Sequence, residues 1–199
     1  MTADLIPLIG RNAALVLAFL AIIMNSDAAS ERILFDFQAA TNSTAWQVVN
    51  DDVMGGVSTS KFQVLTNGGA IFSGVVSLEN NGGFASVRSS TVRQNLSGTD
   101  AFVLRVRGDG RRYKFTVRTE SGFDAPIYQL AFPTKRGAWE EHRLSFKDFV
   151  PTFRGRVLTD VPSLNPANIA TVGFLISDQQ AGPFRLEIGR ITAAVMNDD

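Results

Sequence analysis

The chain has 199 residues, of which 45% are hydrophobic and 19% charged, and its 19 basic residues balance its 19 acidic ones. This composition is typical of a globular domain with a sizeable core, and the neutral charge gives little attraction for phosphates, so we expect no nucleic-acid partner. Cysteine is absent, which excludes disulfides, thiolate nucleophiles and cysteine zinc sites.

The first thirty residues differ from the rest of the chain. Residues 13–24, AALVLAFLAIIM, follow Arg11 and precede the small polar stretch NSDAAS. This run of twelve residues is too short for a helix that crosses a bilayer, which takes about 20. Its length and its small-residue end are typical of a secretory signal. We therefore predict a signal peptide over 1–28, with an uncleaved anchor as the alternative, and an exported protein in the periplasm or envelope.

From Glu31 onward, apolar and polar residues alternate, which is typical of half-buried antiparallel strands. Within 101–108, for example, Phe102, Leu104 and Val106 share one face. Ten strands are predicted, at 33–37, 61–65, 70–76, 84–88, 101–108, 113–119, 127–132, 139–145, 171–176 and 184–191. No long helix is predicted after residue 30. The pattern therefore predicts an all-β protein, one antiparallel β-sandwich of jelly-roll type over 31–194.

Turn signals separate the predicted strands. The Asp109-Gly110 pair indicates a two-residue hairpin, so we expect strands 101–108 and 113–119 to pair. The outward basic residues of this hairpin then share one exposed face: Arg105, Arg107, Lys114 and Arg118. Such a face either is solvated and discourages edge pairing, or contacts an acidic partner or an anionic glycan. Further along, LNPANIA predicts one helical turn, with Asn165 as N-cap and Pro166 at the first position.

The stretch NDDVMGGVSTS, residues 50–60, combines two acids, two glycines and several hydroxyls. It does not fit a calcium loop, because Asp51 and Asp52 are adjacent, and it lacks the spacing and the following helix of a phosphate loop. Two interpretations remain: a wide turn with glycines at positive φ, or a recognition surface at the sandwich edge. The candidate partner- or ligand-binding residues here are Trp46, Asn50, Asp51, Asp52, Met54, Gly55, Gly56 and Ser58.

Catalytic groups do not assemble from the sequence. His142 is the single histidine, which rules out a histidine metal cluster, and no G-x-S-x-G elbow supplies a serine nucleophile for it. Glu140 and Glu141 are adjacent on a predicted strand and point apart, so they do not form a glycosidase pair. We therefore predict no catalytic residue, no metal and no cofactor, with a hydrolase as a remote alternative.

Several motifs, in order along the chain, resemble the family of the thirty-kilodalton complex I intermediate-associated protein. They are WQVVNDDVMGGVSTS, IFSGVVSLENNGGFASVRS, LRVRGDGRRYKF, YQLAF, GAWEEHRLSFKDFVPTFRGR and GPFRLEIGRI. The resemblance implies a galactose-binding-like jelly roll and a chaperone-like role in the assembly of respiratory complex I. It makes the stretch at 50–60 a family hallmark.

Two functions follow from these observations. The first is a non-catalytic binding domain whose partner is a protein, such as a subunit of a membrane complex. The alternative is a carbohydrate-binding module of an exported protein, in which aromatic and basic side chains hold a glycan. The candidate contact residues outside the hallmark stretch are Arg105, Arg107, Arg118 and Trp139.

Overall fold

The computed structural model describes residues 31–38, 45–120, 122 and 124–196. The predicted signal peptide, 1–28, lies outside the described residues, and the domain limits of 31–194 stay a prediction. Within the described ranges, no helix is long and apolar enough to cross a membrane.

Thirteen strands and four short 3-10 helices make up the described part of the chain. The strands are β1 (Arg32–Asp36), β2 (Trp46–Asn50), β3 (Thr59–Val64), β4 (Ala70–Val76), β5 (Ala85–Ser89), β6 (Ala101–Arg107), β7 (Arg112–Arg118), β8 (Ile127–Pro133), β9 (Trp139–Ser145), β10 (Val150–Phe153), β11 (Arg156–Val157), β12 (Thr171–Ile176) and β13 (Gly182–Ala194). The 3-10 helices are Asp51–Met54, Glu79–Asn81, Phe146–Asp148 and Pro166–Asn168.

The strands form two antiparallel sheets. Sheet A has the order β3-β4-β13-β6-β9, and β1 also pairs with β13. Sheet B has the order β11-β10-β8-β7-β12-β5-β2. The predicted all-β class and antiparallel sandwich are therefore confirmed.

The alternation read from the sequence puts one side of each sheet into a shared, aromatic-rich core. Phe102 of sheet A packs edge-on against Phe115 of sheet B, with ring centroids 5.0 Å apart, and Phe115 packs against Phe174 at 5.3 Å. All three side chains have no exposed surface. Burying a phenylalanine stabilises the fold by about 1.5–3 kcal/mol, so these contacts hold the two sheets together without disulfides.

All ten predicted strands lie on strands of the structure: three have the predicted ends, and the ends of the others differ by at most three residues. The helical turn at Pro166–Asn168 is also confirmed, because the Asn165 side chain accepts a hydrogen bond from the Ala167 amide at 3.0 Å. Three strands were not predicted: β2, β10 and β11. Each has at most five residues, and Pro151 inside β10 argues against a strand.

The predicted hairpin at Asp109-Gly110 is wrong. β6 belongs to sheet A and β7 to sheet B, so the turn crosses from one sheet to the other. The physical reason is the Asp109 side chain, whose Oδ2 accepts a hydrogen bond from the Arg185 amide on β13 at 2.9 Å. The basic residues consequently do not share one face. Arg105 and Arg107 lie on the outer face of sheet A, and Lys114 and Arg118 lie on the outer face of sheet B.

Candidate functional site

The hallmark stretch forms a crossover between the two sheets. After β2, at one edge of sheet B, the chain makes the 3-10 turn Asp51–Met54 and enters β3, at one edge of sheet A. Gly55 has a φ of 89°, in the left-handed region, which glycine adopts without steric cost. The wide-turn interpretation is therefore confirmed at Gly55, although the next strand begins at Thr59 instead of Ser58.

The buried side chain of Asp51 binds this crossover to a second one. Its Oδ1 accepts a hydrogen bond from the Ser58 amide at 2.9 Å, and its Oδ2 accepts one from the Ser58 hydroxyl at 2.5 Å. Oδ2 also accepts hydrogen bonds from the amides of Gly83 at 2.7 Å and Phe84 at 3.2 Å. Because Gly83 and Phe84 belong to the loop from β4 to β5, one carboxylate joins the β2–β3 and β4–β5 crossovers. We call this arrangement the Asp51 clip.

Two glycines make room for the clip. A Cβ atom on Gly56 would lie 2.4 Å from Cγ of Asp51, and one on Gly82 would lie 2.6 Å from its Oδ2. No side chain fits at either position, which explains why each crossover carries a glycine beside the carboxylate. Gly82 to Phe84 are the site residues that sequence reasoning missed, and the paired glycines in GGVS and NNGGF were the available signal.

Hydroxyl groups extend the clip on both sides. The Ser58 hydroxyl accepts a hydrogen bond from the Ser77 amide at 2.9 Å, so Ser58 connects Asp51 to the end of β4. The Ser60 hydroxyl donates to Oδ1 of Asn50 at 2.6 Å. The structure therefore brings together Asn50, Asp51, Gly56 and Ser58 as a polar support under the turn.

The charge of Asp51 is stabilised in place. Burial raises the pKa of this carboxyl, but hydrogen bonds from the Ser58 hydroxyl and from the Gly83, Ser58 and Phe84 amides outweigh burial and hold the pKa below its usual value. The carboxylate is consequently ionised at neutral pH, and it accepts hydrogen bonds from both crossovers.

Apolar side chains stand on the outside of the clipped loops. Val53 and Met54 are each 68% exposed, and Val57 and Leu78 are also exposed. We call these four residues the crossover patch. Their loops are fixed to the same carboxylate, so the patch is displayed on a rigid base. Val57 and Leu78 each adjoin a residue of the Ser58–Ser77 hydrogen bond, and a binding role for the patch stays a prediction.

Trp46, in contrast, packs into the core. Its ring stacks on Phe62 with centroids 4.7 Å apart and meets Phe35 edge-on at 5.1 Å. Its indole nitrogen is buried and has no hydrogen-bond partner among the described residues. Trp46 thus anchors the start of β2 to the core. Met54 and the carboxylate of Asp52, in contrast, are exposed. A binding role for these residues stays a prediction.

A second cluster of candidate residues lies on the outer face of sheet A. The guanidinium carbons of Arg105 and Arg107 lie 5.3 Å and 5.1 Å from the centroid of the Trp139 ring. The ring reaches across β6 to Gly189, where a Cβ atom would lie 3.4 Å from it. Arg107 also forms an ion pair with Glu187. We call these residues the tryptophan–arginine cluster.

Arg118 is separate from this cluster, on the outer face of sheet B. Its guanidinium donates to the carbonyl oxygens of Gly122 and Ala125, both at 3.0 Å. Burial and the nearby charge of Arg88 lower the pKa of Arg118. Of the four predicted basic neighbours, the structure therefore brings together only Arg105 and Arg107.

His142 lies at the rim of the core. Its ring packs against Phe132 with centroids 5.0 Å apart, and its Nε2 atom is buried without a hydrogen-bond partner in the described structure. Burial lowers the pKa of His142, Glu140 raises it and Lys135 lowers it. No described serine hydrogen-bonds to this histidine, and no cluster of three metal-binding side chains occurs among the described residues.

Comparison with known proteins connects this geometry to a family. The model of the family described as "Complex I intermediate-associated protein 30" matches residues 35–188. The chain is 28% identical over 178 residues to "Complex I intermediate-associated protein 30, mitochondrial" of Drosophila melanogaster, covering 78% of this chain and 60% of that protein. With the Mus musculus protein of the same name it shares 28% identity over 177 residues, covering 79% and 54%. The resemblance seen in the motifs is confirmed.

A third relative, of the same name in Neurospora crassa, is 34% identical over 91 residues, covering 45% of this chain and 33% of that protein. The chain thus spans between a third and three fifths of the length of these relatives. All three are named mitochondrial, which overturns the prediction of an exported, periplasmic or envelope-associated protein with a signal peptide. A short apolar segment near one arginine is not sufficient to identify a cellular compartment, because targeting signals are recognised by receptors.

Solved structures share the fold. A family 11 carbohydrate-binding module of Clostridium thermocellum, in complex with a mixed-linked tetrasaccharide, superposes with a TM-score of 0.62 at 15% identity, covering 85% of this chain and 98% of that one. An agarase superposes with a TM-score of 0.60 at 10% identity, covering 85% of this chain and 25% of that one. The galactose-binding-like sandwich is therefore confirmed as the fold, and at these identities the likeness extends no further.

Proposed function

The chain belongs to the complex I intermediate-associated protein 30 family, and from that premise we propose that it is a non-catalytic, chaperone-like partner in the assembly of complex I in mitochondria. A protein in this role must hold an incompletely assembled subunit without transforming it. It therefore needs a stable surface that is complementary to a protein, and it needs no reactive group.

The observation that carries this proposal is the crossover patch on its Asp51 clip. Val53 and Met54 are the two most exposed large apolar side chains of the described residues, and methionine adapts well to differently shaped apolar partners. Because the clip fixes the loops beforehand, binding costs little ordering entropy. A rigid turn with flexible apolar tips suits the capture of apolar subunit segments.

Charge at the rim of the patch describes the partner further. The exposed carboxylates of Asp52 and Glu79 flank Val53 and Leu78 in sequence, and the two loops, 51–58 and 77–84, contain no basic residue. An apolar segment bordered by lysine or arginine complements this surface. Subunits that meet a membrane commonly have such borders, since basic residues flank membrane helices.

The test compares a double variant in the crossover patch with a control variant at an exposed valine elsewhere on the protein. The double variant Val53→Asp/Met54→Asp places charges in the patch, and Val157→Asp changes a valine that is 63% exposed on β11, at the opposite edge of sheet B from β2. Tagged proteins are incubated with a mitochondrial membrane extract, and co-purified complex I subunits are quantified by mass spectrometry. We expect the double variant to recover about tenfold less, as hot-spot contacts do when they are lost, and Val157→Asp to match the unmodified protein.

Equal recovery of complex I subunits by the folded double variant and the control would show that the patch does not bind them. Thermal unfolding of each variant verifies the fold. Absence of complex I subunits from all samples, under conditions where a known relative recovers them, would contradict the assembly role itself.

A glycan-binding role is the second candidate, and Trp139 is the observation in its favour. The ring is 40% exposed, and exposed aromatic rings stack on sugars. However, both guanidinium groups of the tryptophan–arginine cluster lie over the ring, so a sugar must displace one of them. A glycan array decides: saturable binding that is lost in Trp139→Ala supports this role, and absence of binding removes it.

A further inference from the structure

The outer face of sheet B contains a pocket that the proposed assembly role does not use. We propose that this pocket binds an oxyanion, the phosphate or carboxylate group of a ligand, between Arg88 and Arg118. The site lies on the opposite sheet from the tryptophan–arginine cluster and is independent of the crossover patch.

Strand register brings the two arginines together. On β12, Thr171 pairs with Arg118 of β7, and Gly173 pairs with Arg88 of β5. Thr171 and Gly173 are two residues apart and face the same side of the sheet. The two arginines therefore lie diagonally opposite each other across β12, with Thr171 and Gly173 between them, and both line one pocket together with Thr171.

Neutral acceptors help to position both guanidinium groups. Arg118 donates to the carbonyl oxygens of Gly122 and Ala125, and Arg88 donates to Oε1 of Gln47 at 3.1 Å. For Arg118 these bonds use two of the five N–H donors of a guanidinium. The remaining three have no partner among the described residues, so they are available to an acceptor in the pocket.

Electrostatics favour an anion at this place. Two like charges that share a half-buried site repel each other, and the charge of Arg88 adds to burial in lowering the pKa of Arg118. An oxyanion between them removes the repulsion and accepts charge-assisted hydrogen bonds from both groups. Ser90 and Thr91 line the same pocket, and serine and threonine hydroxyls are neutral donors.

The volume of the pocket favours the binding of a small anionic group over that of a polymer. The pocket has a volume of about 170 Å³, below the roughly 300–1,000 Å³ of pockets that bury a drug-sized ligand. It therefore accommodates one phosphate or carboxylate group and leaves the rest of the ligand outside. Glu120 also lines the pocket, and its carboxylate competes with an incoming anion.

The experiment titrates the full chain with inorganic phosphate, and separately with acetate, at constant ionic strength. The Ser90 and Thr91 amide signals are followed by NMR. We expect saturable shifts with at least one anion. Saturation by phosphate assigns a phosphorylated ligand, and saturation by acetate alone assigns a carboxylate.

Three variants give the site its controls. Arg88→Gln should weaken binding about tenfold, because one charged donor group is lost, and Glu120→Gln should tighten it because the competing carboxylate is neutralised. Arg105→Gln, a matched change on sheet A, should leave binding unchanged. Arg118→Gln also removes the bonds to Gly122 and Ala125, so Arg88→Gln is the primary variant. Shifts that do not saturate, or equal affinity in a folded Arg88→Gln variant, would overturn the proposal.

Discussion

Asp51 is a charged side chain that the fold buries almost completely, with 1% of its surface exposed. Such burial is tolerated only where hydrogen bonds replace water, and four donors do so here. Three of these donors are backbone amides and the fourth is a hydroxyl, so none of them is charged. The carboxylate therefore contributes its full negative charge to the clip without a neutralising cation.

Asp51→Asn should lower the free energy of unfolding by about 2–4 kcal/mol at pH 7, since a charged acceptor in a buried network is lost. Because the folded pKa lies below the ordinary 3.8, the wild-type advantage is complete above that pH. It disappears as the pH falls through the folded pKa. Urea unfolding at several pH values measures the difference. Asp52→Asn, next along the chain and exposed, should change stability by less than about 0.5 kcal/mol.

His142 gives stability a second pH dependence, of the same direction. Its folded pKa lies below the ordinary 6.5, mainly because of burial, so the unfolded chain binds the proton more readily. Stability is therefore complete above pH 6.5 and falls as the pH decreases below it. We expect the melting temperature of the wild type to drop between pH 7.5 and 5, and that of His142→Phe to drop less. An NMR titration that places the His142 pKa above 6.5, through Glu140, would contradict this.

At the scale of elements, hydrogen bonds to aspartate side chains fix the crossovers between the two sheets. The Asp51 clip joins two of them, and Asp109 fixes a third. Oδ1 of Asp109 accepts hydrogen bonds from the Tyr113 hydroxyl at 3.0 Å and the Arg111 amide at 3.1 Å, while Oδ2 accepts one from Arg185. Burial and the charge of Asp109 raise the pKa of Tyr113, which keeps its hydroxyl a donor.

Two tyrosines allow this element to be tested. Tyr113→Phe removes a bond to a carboxylate, worth about 1.5–3 kcal/mol, whereas Tyr128→Phe removes a bond to the Pro162 carbonyl, worth about 0.5–1.5 kcal/mol. We expect Tyr113→Phe to be the more destabilising change in chemical unfolding. If the two variants were equally stable, Asp109 would not act as a crossover clip.

The elements also show what the sequence can predict. Strands such as 101–108 were found because alternation is local and directly reports one buried face. The turn at Asp109-Gly110 was assigned to a hairpin because its local signal is the same for both outcomes. The crossover differs from a hairpin in a long-range contact that the local sequence does not show: the Asp109 side chain accepts a hydrogen bond from the amide of Arg185, which lies 76 residues away. The Asp51 clip was missed for the same reason, since Gly83 and Phe84 follow it by 32 and 33 residues.

For the whole molecule, stability should decrease from the centre of each sheet to its edges. β13 pairs with β4, β6 and β1, and β12 pairs with β5 and β7, whereas the two-residue β11 pairs only with β10 among the described strands. We expect amides of β13 and β12 to exchange with solvent only on global unfolding, and those of β10 and β11 to exchange first. Hydrogen exchange measured by NMR tests this order, and early exchange in β13 would contradict it.

The Asp51 clip also has a consequence for folding kinetics. Its carboxylate finds all four donors only after the chain from 51 to 84 has passed twice between the sheets, and closing such a loop costs entropy before the bonds form. We therefore expect the clip to close after the rate-limiting step of folding. Removing it with Asp51→Asn should accelerate unfolding and leave the folding rate nearly unchanged, a low φ-value. Stopped-flow measurement of both arms of the chevron tests this, and a slower folding arm would place the clip in the nucleus instead.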